Sequence, residues 1–276
     1  MKNFEHKGIR VAFKSTGGIE SCFILPDYKI AFDIGRCPVS LIDIPTIFLS
    51  HGHLDHASGI AYYFSQRSLK NLAPGTIYVP GKILGPLKKI TRQWQKIEGF
   101  KYKSNLVGVK AGKTIDLSHG LSILPVSAQH RVYANGYVLV KTVKKLKTEY
   151  LNLSGKEIAS RRKDESLFNI VEQPLFGYSG DSTIEVIKNN PLLRRATVLF
   201  MECTYIDEQR NVDRARKWGH THLDEIVENA QLFENERVVL VHLSKRYTDG
   251  YIQSVLRKKI PAHLKQKFIY VDTDRQ

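Results

Sequence analysis

The segment Ser50-His51-Gly52-His53-Leu54-Asp55-His56 constrains this chain more than any other. It sets three histidines and an aspartate within six residues, directly behind the apolar run 45–50 (PTIFLS). That run carries β-branched and aromatic members and reads as a buried strand. Imidazole nitrogens and carboxylate oxygens are the usual ligands of zinc and related divalent ions. On a loop leaving a strand, His51 and His53 can point one way, while Asp55 and His56, further along the turn, reach a second position. The spacing therefore suggests two adjacent metal sites rather than one. With ten histidines in 276 residues, such a cluster is not a chance feature of the surface.

These neighbours do not complete two sites, so the rest of the chain should supply more ligands, each just after a strand. His130 follows the strand candidate 121–126, Asp181 follows 176–179, and His242 closes 237–242. Each is a polar residue at the C-terminal edge of an apolar strand, where α/β folds place their sites. One such residue alone is more often structural; together with the first cluster they read as a ligand set. Glu202 ends the strand candidate 198–202 and is either chemical or a buried polar group. His220, in Gly219-His220-Thr221, is either a reacting group or part of a helix N-terminus capped by Thr221. His222 reads as structural or superficial, and His6, His119 and His263 as superficial. Asp33 either supports the metal cluster from behind or belongs to a turn.

The wider pattern is α/β. Strand-like runs open the chain at 9–14, 21–25 and 29–33, and strands then alternate with helical patterns at 57–66, 83–96, 224–233 and 251–259. This suits layers with sheets inside and helices outside. No Gly/Ser linker forces a division, so residues 1–276 read as one domain. A possible inserted basic arm lies around 141–170, where the pattern weakens and Lys141, Lys144, Lys145, Lys147, Lys156, Arg161, Arg162 and Lys163 gather. The formal net charge of +15 favours a polyanionic partner such as nucleic acid. Three widely spaced cysteines, Cys22, Cys37 and Cys203, argue against a disulfide framework and for a reducing compartment, by default the cytoplasm. No apolar run of about 18 residues predicts a membrane span, and Met1–Arg10 does not resemble a signal peptide.

HGHLDH resembles the H-x-H-x-D-H signature of the metallo-β-lactamase superfamily, and the lone His, Gly-Asp and late His follow that superfamily's order. Within it, the further motifs are similar to those of tRNase Z, the tRNA 3′-processing endoribonuclease. YSGDST resembles its Y-x-G-D-T element, MECTY its H-E-A-T-F element, WGHTHLDEIVENA its G-H-x-T/S helix start, and VHLSKRY its closing H-F-S-x-R-Y. The likeness runs from about Ser21 to Tyr247. It implies a four-layer αβ/βα sandwich with His51, His53 and His130 on one metal, Asp55, His56 and His242 on the other, and Asp181 bridging them. It further implies Asp55 orienting or deprotonating the attacking water, His220 at the leaving group as acid or phosphate ligand, and Glu202 as partner of His220. The metals would be zinc, although manganese and iron accept the same ligands. The substrate would be pre-tRNA, and relatives are often homodimers. Two departures keep a second reading open, a same-fold hydrolase of a small phosphodiester, thioester or lactone. FKSTGGIESCF stands where the family has its P-x-K-x-R-N-type loop, and the arm lacks the family's Gly-Pro tip.

Overall fold

The computed structural model describes residues 1–161 and 165–272. Arg162 and Lys163 of the basic segment lie outside them. Two seven-stranded sheets form the centre. The first runs in sequence order β1 (Lys2–His6), β2 (Ile9–Thr16), β3 (Glu20–Leu25), β4 (Ile30–Phe32), β5 (Thr46–Phe48), β6 (Gly75–Pro80) and β7 (Ser104–Val109). The second runs β8 (Ile115–Asp116), β9 (Leu121–Ala128), β10 (Ala134–Leu146), β11 (Phe168–Tyr178), β12 (Val198–Glu202), β13 (Arg237–Val241) and β14 (Phe268–Ile269). Each half begins as an antiparallel meander, β1 to β4 and β8 to β11, and continues with parallel strands. Parallel neighbours need a crossover. Here the helices supply it, so each sheet has one face for its helices and one for the other sheet.

Three apolar clusters mark the layers. The middle one lies between the sheets and is aromatic: Phe13, Phe23, Phe32, Phe48, Tyr137, Phe176, Tyr178 and Phe200. Phe200 meets Phe13 and Phe23 edge-on at 5.2 and 5.5 Å between centroids, a geometry that adds about 0.5–1.5 kcal/mol per pair beyond burial. A second cluster joins the first sheet to α1 (Leu54–Ala57), α2 (Ile60–Leu69) and α3 (Leu84–Glu98). The third joins the second sheet to helices that include α5 (Glu185–Asn189), α6 (Pro191–Arg195), α8 (Leu223–Glu228) and α9 (Asp249–Lys259); α4 (Gly155–Ser160) and α7 (Val212–Lys217) complete the set. The layers are therefore αββα.

Several elements differ from the sequence-based expectations. The helix expected over 57–66 is two helices, broken at Gly59, whose N–H donates to the Gly35 carbonyl at 2.8 Å. A Cβ at Gly59 would stand 2.6 Å from Cys37 Cβ, so the chain passes too close there for any side chain. Asp55 and His56 consequently sit on the short α1, not on an open loop. The apolar stripe of α3 is only partly inward: Ile90, Trp94 and Ile97 are exposed. β10 and β11 run well past the expected 137–142 and 176–179. Beyond Thr142, whose N–H still reaches the Gly120 carbonyl at 2.8 Å, their ladder up to Leu146 against Phe168 pairs them, among the described residues, with each other alone. Within the segment 150–169 the chain forms α4, begun by a capping box of Ser154 and Glu157.

Candidate metal centre

The ends of β5, β9, β11, β12 and β13 converge at one edge between the two sheets, and the expected residues meet there. His51, His53, His130 and Asp181 form one group whose ligand atoms all lie within 4.8 Å of one another; Asp55, His56 and His242 form a second. Asp181 stands between them. Its carboxylate oxygens lie 3.7 Å from His51 Nε2, 3.4 Å from His56 Nε2 and 3.4 Å from His242 Nε2. Asp55 Oδ2 is 3.4 Å from His242 Nε2 and 3.6 Å from His56 Nε2.

The histidines are aimed by what holds their other nitrogen. The His51 Nδ1–H meets Ser50 Oγ at 3.0 Å, His56 Nδ1–H meets Asp33 Oδ2 at 2.6 Å, His130 Nδ1–H meets the Gly219 carbonyl at 2.7 Å, and His242 Nδ1–H meets Thr204 Oγ1 at 3.0 Å. In the neutral ring each bond fixes the tautomer that leaves Nε2 as a lone pair facing the pocket. His53 faces it through Nδ1, 3.3 Å from His130 Nε2. Burial holds His51, His53 and His130 below the ordinary imidazole range, so they are neutral, the form that binds metal. His56 goes the other way: burial lowers it, but the carboxylates of Asp181 and Asp33 raise it well above the usual range. Burial would raise Asp55 and Asp181, yet the adjacent histidines win in both, and Asp55 falls to about 2.

Whether this cluster suits cations can be judged from its donors. His51 Nε2 is buried without any hydrogen-bond partner, and His56 Nε2 and His242 Nε2 face each other at 3.3 Å. An orphaned buried acceptor and two converging imidazole nitrogens are costly by themselves. Divalent cations among them satisfy every one, and the donor set of nitrogen and carboxylate oxygen fits zinc and its neighbours.

Asp33 is fully buried in the turn after β4 and accepts four hydrogen bonds: from His56, from the Ser50 backbone N–H at 2.6 Å, from Ser50 Oγ at 2.8 Å and from the Tyr178 hydroxyl at 2.6 Å. It thus belongs to a turn and at the same time holds His56 from behind. Asp33→Ala is expected to weaken metal binding or activity about 10–100-fold, the usual cost of removing a group that orients a ligand, measured by competition with a chromophoric chelator. Unchanged affinity would mean that packing alone holds His56.

On the open side, His220 stacks on His242 with centroids 5.5 Å apart. Its Nδ1 lies 3.0 Å from Glu202 Oε1 and 3.1 Å from Thr204 Oγ1. Burial lowers its affinity for a proton, but the Glu202 carboxylate outweighs this and raises it to about 8. Glu202 is fully buried and also accepts from the backbone N–H groups of Thr204 and Thr221 at 2.8 and 2.9 Å. It therefore fastens the loops of Thr204 and Thr221 and stands as the charged neighbour of His220. Thr221 is not a helix cap; its hydroxyl donates to the Ser182 carbonyl at 2.7 Å. The cap of α8 is His222, buried and paired reciprocally with Glu225. Asp181, His220 and His242 also form a compact group, so geometry offers His220 as a ligand besides.

Three contributors carried no distinctive sequence signal. Gly17 and Gly18, in the turn from β2 to β3, close one wall: Gly17 pairs with Leu243 and Ser244, and Gly18 N–H donates to Asp55 Oδ2 at 2.9 Å. A Cβ on Gly17 would stand 2.6 Å from the His242 carbonyl, which fixes this position as glycine. Thr204 ties Glu202, His220 and His242 together; only its place in MECTY could have marked it. The resulting cavity, about 310 Å³, opens past Lys245 and Arg246.

Comparison with known proteins agrees with this geometry. The Beta-lactamase superfamily domain matches residues 35–243. tRNase Z TRZ1 of Arabidopsis thaliana is 36% identical over 258 residues, 92% of this chain and 92% of that protein. The chloroplastic tRNase Z TRZ2 of the same plant is 33% identical over 260 residues, 93% of this chain and 73% of its own length. Among solved structures, human tRNase Z, short form, superposes with a TM-score of 0.61 at 18% identity, covering 86% of this chain and 93% of the human one, and so shares the fold.

Proposed function

The chain belongs to the tRNase Z family of the β-lactamase superfamily, and on that premise we propose that its pocket removes 3′ trailers from precursor tRNA by hydrolysing one phosphodiester bond. The observation that carries this reading is the convergence of seven ligand-type residues at one sheet edge in a chain 36% identical to a tRNase Z over nearly its whole length. It favours pre-tRNA over a small diester, thioester or lactone.

In this reading His51, His53 and His130 would hold one divalent cation and Asp55, His56 and His242 the other, with Asp181 available to both; zinc is the first candidate. When bound, the pair supplies an activated water at neutral pH and positive charge over the non-bridging phosphate oxygens. The protein's own groups do the rest. Asp55, fixed by the Gly18 N–H, orients the attacking water and accepts its proton. His220, with Nδ1 committed to Glu202, presents a protonated Nε2 to the 3′ oxygen as the P–O3′ bond breaks. The tRNA leaves with a 3′ hydroxyl and the trailer with a 5′ phosphate. Lys245 and Arg246 at the mouth, and the exposed Lys141, Lys144 and Lys145 of the arm, present cationic groups to the RNA backbone. No helix among the described residues is long and apolar enough to cross a membrane. Three buried free cysteines suit a reducing compartment, and we assign the cytoplasm. A second copy of this chain is the reading for the exposed Ile90, Trp94 and Ile97 of α3, to be checked by light scattering.

The test is incubation of metal-loaded protein with a 3′-extended pre-tRNA and, separately, with bis(p-nitrophenyl) phosphate, with Asp55→Ala as control. Cleavage at the trailer junction, lost in the variant, is expected. Turnover of the small diester without cleavage of pre-tRNA would overturn the substrate.

A further inference from the structure

Two aromatic rings stand open to solvent close in the chain to His130 and His220, each paired with a cation. Residues 131–133 follow His130 directly, and Trp218 stands two places before His220. Between the last two, Gly219 has a φ of +72° and lies against residues 130 and 131: a Cβ there would stand 2.8 Å from Arg131 N and 2.9 Å from His130 Cα. This close approach, locked by the bond from His130 to the Gly219 carbonyl, sets Trp218 beside the metal centre. The Arg131 guanidinium lies 4.3 Å from the Trp218 ring centroid. On the other flank the Lys82 ammonium lies 4.8 Å from the Tyr133 ring centroid. Lys82 neighbours Ile83, whose Cδ1 is the atom nearest to a Cβ built at Gly52, between His51 and His53. Trp218 and Tyr133 keep 43% and 39% of their surface exposed.

Neither ring is buried in the core, and each lies within three residues of a histidine of the metal centre, Tyr133 after His130 and Trp218 before His220. An aromatic face with a guanidinium or ammonium beside it is the combination that holds unpaired nucleotides: the ring stacks on a base of any identity and the cation meets the adjoining phosphate. We propose that Trp218 and Tyr133 form a base-stacking platform for the unpaired nucleotides on either side of the scissile phosphate, Trp218 taking the last nucleotide retained by the tRNA and Tyr133 the first of the trailer. The assignment of sides rests on the proposed function: the departing 3′ oxygen belongs to the retained nucleotide and meets His220, two residues from Trp218. Stacking is indifferent to sequence, so the platform accepts every base and rejects only its absence.

The experiment uses full-length, metal-loaded protein and a pre-tRNA carrying an abasic residue at the last retained position. The native chain is expected to lose about 5–100-fold in kcat/KM on the abasic substrate, the range that one base stack is worth. Trp218→Ala is expected to be slowed by a similar factor on the intact substrate and to show no further abasic penalty, while Trp218→Phe recovers much of the rate. A native enzyme indifferent to the abasic residue, or a penalty that persists undiminished in Trp218→Ala, overturns the platform. So does a penalty that disappears only in Tyr133→Ala, which would reverse the sides. A second measurement does not depend on cleavage. The chain has two tryptophans, Trp94 and Trp218, so in Trp94→Phe the fluorescence reports Trp218 alone. Quenching by a short single-stranded oligoribonucleotide, but not by its abasic counterpart, is expected; equal quenching by both sinks the inference. Failure of the native chain to cut any pre-tRNA would instead sink the proposed function and leave the quenching result to decide the platform.

Discussion

An Asp181→Asn chain loses metal from both halves of the pocket and cleaves pre-tRNA at least about 10³-fold more slowly than the native chain, a loss of about 4 kcal/mol of transition-state stabilisation. The amide keeps the size of the carboxylate but not its charge. Asp181 is the group that approaches histidines of both clusters, with His51, His56 and His242 all within 3.7 Å of its oxygens. It is buried, so water cannot replace it. Two cations held by these two clusters would repel each other, and a shared anion would offset this most directly. Elemental analysis of the purified variant should therefore find fewer than the native metal equivalents, and activity should not return on adding zinc. In the native chain, by contrast, chelation abolishes cleavage and re-addition restores it. A variant with a full complement of metal and native turnover would remove Asp181 from the bridge.

The reach of the sequence can be followed residue by residue. H-x-H-x-D-H was legible because four ligand-type side chains fall within six adjacent positions and local geometry alone keeps them together. His130, Asp181 and His242 were legible because each follows or ends an apolar strand, and β9, β11 and β13 run in one direction, so their C-terminal ends share one edge. What was not legible depends on contacts distant in sequence. Gly59 breaks the expected helix because Cys37, more than twenty residues earlier, occupies the space of a side chain. Gly17 and Gly18 read as an ordinary turn, yet they close the wall against Asp55 and His242. The outer halves of β10 and β11 were missed because a two-stranded ladder exposed on both faces needs no apolar alternation; Lys141, Lys144 and Lys145 point to solvent there. β1 escaped for a similar reason: its residues are only half buried or exposed in alternation at a sheet edge. His222 was left between a structural and a surface role because nothing local shows that α8 begins with its ring inside.

The same dependence on long-range contacts makes His220 the most informative position to change. His220→Ala is expected to lower pre-tRNA cleavage about 10²–10⁴-fold, the usual range for a positioned general acid, while both metals remain bound. Two further readouts separate an acid from a ligand or a structural support. The first is the leaving group. Departure of p-nitrophenolate needs no proton, whereas departure of a ribose 3′ oxygen does; the variant should therefore be far less impaired on bis(p-nitrophenyl) phosphate than on RNA. The second is the pH profile. An acid works only while protonated, so the native rate falls as pH rises through its titration, which Glu202 holds up by its charge and hydrogen bond. Glu202→Gln removes the charge and keeps an acceptor, and it should move that alkaline fall to lower pH without emptying the metal sites. The compact group of Asp181, His220 and His242 supplies the competing outcome: if His220→Ala releases one metal equivalent and slows both substrates alike, the ring is a ligand, and the proton for the departing oxygen has to come from elsewhere.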